Sequence, residues 1–108
     1  MNTERRGSPR KPLKVAAVVQ ATGAPPIAGK TADVSLNGLS VVLSVDLPPG
    51  YTCLVNFDIP MKQWGKHHLS LKARVAYSVC GSEGFRIGMQ FLDVDRDAET
   101  TIRTYTMG

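Results

Sequence analysis

The sequence predicts an all-β protein: a six-stranded antiparallel barrel with a short C-terminal helix. Three observations carry that expectation. Apolar residues alternate with polar ones at a period of two through most of the chain. Gly and Pro fall between the alternating runs, and only the C-terminal stretch shows helical spacing. The 108 residues suffice for one domain, and closure into a barrel removes the edges that a short open sheet would leave.

The elements follow in order. Leu13, Val15, Ala17 and Val19 mark the first strand, and Lys30–Val34 is a weaker second candidate. Leu39, Val41, Leu43 and Val45 mark the third, and Cys53, Val55, Phe57 and Ile59 the fourth. Leu69, Leu71, Ala73, Val75, Tyr77 and Val79 mark the fifth, and Phe85, Ile87, Met89 and Phe91 the sixth. On this alternation the phenylalanines and Tyr77 are expected in the core. The turns are A-T-G-A-P-P at 21–26, L-N-G at 36–38, P-P-G at 48–50 and G-S-E-G at 81–84. A helix is expected over Asp95–Tyr105, with Asp95 as N-cap and Ala98, Ile102 and Tyr105 on one face.

Composition narrows the function. A 43% hydrophobic and 20% charged chain is globular rather than disordered. No apolar run reaches the roughly 20 residues of a membrane-spanning helix, and the polar start is not a secretory signal. The net charge is +4, with Arg5, Arg6, Arg10, Lys11 and Lys14 crowded at one end. Residues 1–11 are expected to be a flexible basic arm and 12–108 the barrel with its helix. Such an arm suits an anionic partner, although a solvated tail has the same composition. Cys53 and Cys80 are too few for a disulfide framework and fit a reducing cytoplasm. Cys53 reads as a small core residue and Cys80 lies at a strand end. No nucleophile–base pair or metal constellation is visible, so an enzyme is not expected.

Two short patterns remain, R-G-S-P-R at 6–10 and D-V-S-L-N-G at 33–38. In this order, and with G-F-R-I-G-M-Q-F at 84–91, they resemble the PilZ domain family, whose signature is R-x-x-x-R followed by [D/N]-x-S-x-x-G. The resemblance implies a cytoplasmic receptor for cyclic di-GMP, without a cofactor, that signals to a downstream protein partner. Its implied ligand-binding residues are Arg5, Arg6, Arg10, Asp33, Ser35 and Gly38. The position of Arg5 is associated in the family with stoichiometry, an arginine there accompanying an intercalated ligand pair. Arg74 and Arg86 lie on polar faces of late strands that help to cover the ligand in some members.

The chemistry of the residues agrees with such a ligand. A guanidinium is a planar fork that pairs with phosphate oxygens or with guanine O6 and N7. An ionised Asp33 only accepts, so it suits guanine N1–H and N2–H₂. Ser35 has a small hydroxyl able to donate. Gly38 permits a positive φ or a close backbone approach. A plain turn remains open for D-x-S-x-x-G, with Asn37-Gly38 as a hairpin signal. A single-stranded nucleic-acid barrel is the other class, disfavoured because only Tyr51, Trp64 and Tyr105 are candidate stacking residues. A ligand-free PilZ-like interaction module is the third. His67 and His68, adjacent in a strand, face opposite sides and cannot share a metal.

Overall fold

The computed structural model describes residues 9–62 and 65–107. Arg5, Arg6 and Trp64 lie outside the described residues. Within them the strands are β1 (Lys11–Pro12), β2 (Ala16–Gln20), β3 (Ile27–Val34), β4 (Gly38–Leu43), β5 (Thr52–Met61), β6 (Gly65–Gly81) and β7 (Gly84–Asp93). One helix, α1 (Arg96–Met107), follows. Six strands run β3-β2-β5-β6-β7-β4, all antiparallel, and β4 returns to pair with β3. The predicted barrel is therefore closed, and β1 adds a two-residue extension beside β3.

The alternation fills the barrel as expected. Val41 and Leu43 from β4, Val55, Phe57 and Ile59 from β5, Leu71 and Val75 from β6, and Ile87 from β7 are all buried. Cys53 is buried with them, and burial pushes its thiol pKa up.

Three register shifts interrupt the pairing of the described strands; one lies at Leu92 in β7, and the other two each turn a site side chain outward. In β3 the register to β4 shifts between Thr31 and Asp33, so Thr31 and Val34 face the core while Asp33 faces out. In β6 it shifts between Val75 and Tyr77. Tyr77, expected in the core, is instead 46% exposed, and Val79 is 56% exposed. A one-residue slip moves every following side chain to the other face, which is the reason for both corrections. Val45 is exposed because β4 ends at Leu43.

The first predicted strand, Leu13–Val19, begins only at Ala16 for a related reason, and β1 lies ahead of it. From Lys11 to Ala16 the chain takes one more step than β3 takes from Val34 to Lys30. The buried Thr31 side chain fills the gap: its hydroxyl accepts the Val15 N–H at 3.0 Å and donates to the Leu13 carbonyl. β3 itself is longer than the Lys30–Val34 candidate, because pairing with β2 extends it back to Ile27.

α1 begins where Asp95 accepts the Ala98 N–H at 2.8 Å, the expected N-cap, and buries Ala98 and Ile102. It runs two residues past the predicted end at Tyr105. Its last turn is tied to β1. The Tyr105 hydroxyl donates to the Pro12 carbonyl at 2.6 Å, and Lys11 Nζ donates to the Tyr105 carbonyl at 3.1 Å while lying 4.4 Å from the ring centroid.

Thr31→Val keeps the shape of the side chain but leaves the Val15 N–H without its acceptor. We expect a loss of about 1–3 kcal/mol, seen as a lower urea midpoint at unchanged slope. An unchanged midpoint would show that the hydroxyl does not hold the Leu13–Val15 segment against β3.

Candidate functional site

The bulges bring four residues into one line across the outer face of the barrel. Asp33 on β3 pairs with Ser40 on β4, Ser40 with Gly88 on β7, and Gly88 with Tyr77 on β6. The next line along the strands is Lys30, Val42, Arg86 and Val79.

Asp33 is the centre of charge on this face. Its Oδ1 lies 2.6 Å from Arg10 Nη1, and its Oδ2 lies 2.9 Å from Arg86 Nη2. The carboxylate side chain is only 15% exposed, whereas the two arginines are half exposed. Two guanidinium forks are thus anchored at one edge and open at the other. A carboxylate offers about four lone-pair sites, so Asp33 can hold both arginines and still accept two further hydrogen bonds.

The rest of D-V-S-L-N-G shapes the turn between β3 and β4. The Ser35 hydroxyl is buried, accepts the Asn37 N–H at 3.2 Å and lies 3.4 Å from the Gly38 carbonyl. The Ser35 N–H donates to the same carbonyl at 2.8 Å. Gly38 is needed for close approach rather than for a positive φ. A Cβ there would run into the Met89 carbonyl of β7. The positive-φ residues among those described are Gly23, Gly50, Gly65 and Gly84, so Asn37-Gly38 does not form the left-handed hairpin turn its sequence suggests.

Tyr77 is the site residue that the alternation hides. Its ring lies across Gly88, where any Cβ would overlap it. A groove of about 620 Å³ follows this face, lined by Arg10, Ser35, Gly38, Tyr77, Gly88 and Gln90. It combines a cation, an aromatic ring and a glycine floor, which suits a flat anionic ligand. A larger groove of about 910 Å³ lies under the β2–β3 loop, near Thr22, Leu54 and Lys72. Among the described residues its lining holds one lysine and no guanidinium, so the smaller groove is the better candidate despite its size.

Of the residues singled out from sequence, Arg10, Asp33, Ser35 and Gly38 meet at this groove or its rim. Arg86 joins them through Asp33. Arg74 stays one line away, opposite Gln90. His67 and His68 point apart, to Asp97 and Asp58 respectively. The described residues contain no group of three metal-ligating side chains, and no helix among them is long and apolar enough to cross a membrane.

This geometry has relatives. The family model for the PilZ domain matches residues 4–108, and the chain belongs to that family. It is 33% identical over 85 residues to the flagellar brake protein YcgR of Xanthomonas campestris pv. campestris (strain B100), an alignment covering 68% of this chain and 29% of that protein. The fold is similar to the Bacillus subtilis inhibitor of motility MotI/DgrA, with a TM-score of 0.84 at 16% identity over 95% of this chain and 50% of that one. It is also similar to Escherichia coli YcgR in complex with cyclic di-GMP, with a TM-score of 0.73 at 20% identity over 93% of this chain and 43% of that one. The chain spans less than a third of the curated relative and at most half of these two structures.

The motif residues divide by task, and stability measurements separate them. Asp33→Ala removes half-exposed ion pairs and should change unfolding free energy by less than about 1 kcal/mol. Gly38→Ala forces β4 away from β7 and should cost about 1–3 kcal/mol. Chemical denaturation giving the reverse order would contradict this division.

Proposed function

We propose that this chain is a receptor for cyclic di-GMP and does no chemistry on it. The observation that carries the reading is the convergence of Arg10 and Arg86 on the two oxygens of Asp33, beside the groove that Tyr77 lines. Its family membership supports the ligand, as does its likeness to a YcgR structure bound to cyclic di-GMP.

In the proposed complex Asp33 accepts N1–H and N2–H₂ of one guanine. Arg10 turns its free edge to a phosphate or to guanine O6 and N7. Arg86 holds Asp33 from the other side. Ser35 and Gly38 set the turn against which the ligand lies. Arg5 and Arg6 come from the basic arm, which folds over the ligand and orders on binding. The arm joins the barrel at Lys11, where Tyr105 of α1 anchors it. Signalling to a protein partner then follows from the changed basic surface. The site is proposed to act in the cytoplasm.

Isothermal titration calorimetry tests the reading. The wild type should bind cyclic di-GMP and not cyclic di-AMP, whose adenines lack the N1–H and N2–H₂ donors. Arg6→Ala and Arg10→Ala should each weaken binding about 5- to 150-fold, the loss of one fork worth about 1–3 kcal/mol. Equal affinity for the two dinucleotides, or wild-type binding by both variants, would overturn the assignment. The same titration reports stoichiometry: Arg5 is proposed to sustain an intercalated ligand pair, so Arg5→Leu should lower the ligand-to-chain ratio from two to one.

A further inference from the structure

The far end of β6 leaves the barrel. Its pairing with β5 stops at Arg74, and the last backbone bonds on that side are those of Val75 with Gly50 and Tyr51. Beyond it, β6 continues to Gly81 and, among the described residues, pairs with β7 alone. One edge of the strand therefore runs open over Ala76–Gly81. Ala76, Tyr77, Val79, Cys80 and Gly81 are exposed, and Val79 is 56% so.

Open edges in natural sheets are blunted by lysine or proline, because a free row of N–H and C=O groups templates another strand. This one is not. V-A-Y-S-V-C-G-S at 75–82 contains no charged residue and no proline, in a chain of net charge +4. The bulge decides which groups face the opening. Both backbone groups of Val75 point toward β5, and the one-residue shift before Tyr77 passes that orientation to Ser78 and Cys80. Their side chains lie on the face opposite to Tyr77 and Val79, where the Ser78 hydroxyl donates to Asp46 at 2.6 Å.

We propose that a second copy of this chain pairs with β6 along this edge, antiparallel and about a two-fold axis at Val79. That register is the one in which all four open groups are used in both copies. Ser78 of each copy exchanges two hydrogen bonds with Cys80 of the other, and Val79 meets Val79 at a non-hydrogen-bonded position. Tyr77 comes to lie across Gly81 of the second copy, as it already lies across Gly88 within its own sheet. Charge also fits. The seam itself is neutral, so no like charges face each other along Tyr77–Gly81 of the two copies. The result continues the outer face from one barrel to the next, so that the two Asp33–Tyr77 lines lie on one sheet.

The oligomeric state of the full chain tests this without any ligand. Sedimentation equilibrium under reducing conditions should show the mass rising from monomer toward dimer between micromolar and millimolar concentration. Val79→Lys places two like charges on the axis and should stay monomeric with an unchanged circular dichroism spectrum. Val79→Cys in a Cys80→Ser background should form a covalent dimer on mild oxidation, because directly opposed non-hydrogen-bonded residues lie within disulfide reach. A wild type that stays monomeric throughout, a dimer that Val79→Lys leaves intact, or a Val79→Cys variant that does not cross-link would each overturn the proposal. A monomer that adds a strand from another protein would overturn it equally.

Discussion

The line from Asp33 to Tyr77 depends on two extra residues in the barrel wall, Ala32 in β3 and Ala76 in β6. A closed antiparallel barrel assigns each side chain to the inside or the outside by alternation, so without a bulge Asp33 would share the inward face of Thr31, and Tyr77 that of Val75. The bulges at Thr31–Asp33 and Val75–Tyr77 lift that restriction locally. Before each bulge the alternation fills the core, with Thr31 and Val75 buried; after it, Asp33 and Tyr77 stand outside. Because β4 and β7 connect the two bulged strands in register, the released side chains end in one line. The same slip in β6 turns its terminal backbone groups toward the open edge, so the groove and the proposed seam share one origin.

The electrostatics of that line suit a receptor better than a structural clamp. Arg10 and Arg86 are half exposed, and ion pairs of such groups contribute little to stability in water. Their value lies in position. Asp33 holds each fork at one edge and so reduces the freedom that a ligand would otherwise have to remove. The parts that cannot move are apolar or backbone: Gly38 against Met89, the Ser35 turn, and the Tyr77 ring on Gly88. A rigid floor beside two positioned guanidinium groups suits a flat dianion.

The strands were legible because burial imposes period two, and the helix because Asp95 and the Ala98–Ile102 spacing are local signals. The family was legible from residues whose chemistry is specific, Arg10, Asp33, Ser35 and Gly38 among them. What the sequence concealed has a common physical cause. A bulge adds one residue to an alternating run without any compositional mark, so Tyr77 and Val79 read as core and are exposed. Thr31 reads as an ordinary strand residue, yet its hydroxyl bonds the Leu13–Val15 segment that the alternation assigns to the first strand. The role of Gly38 depends on how near β7 passes, a tertiary fact that the Asn-Gly dipeptide does not encode. Arg86 was visible as an outward residue, but its partner lies two strands away, on β3.

The account places the ligand on the line from Asp33 to Tyr77, and chemical-shift mapping tests that placement directly. Titrating ¹⁵N-labelled protein with cyclic di-GMP should perturb amides at 10–11, 33–40, 76–78 and 86–90, and leave those at 20–24 and 52–54 in place. Perturbations centred on the β2–β3 loop and the start of β5, with residues 33–40 unmoved, would contradict it.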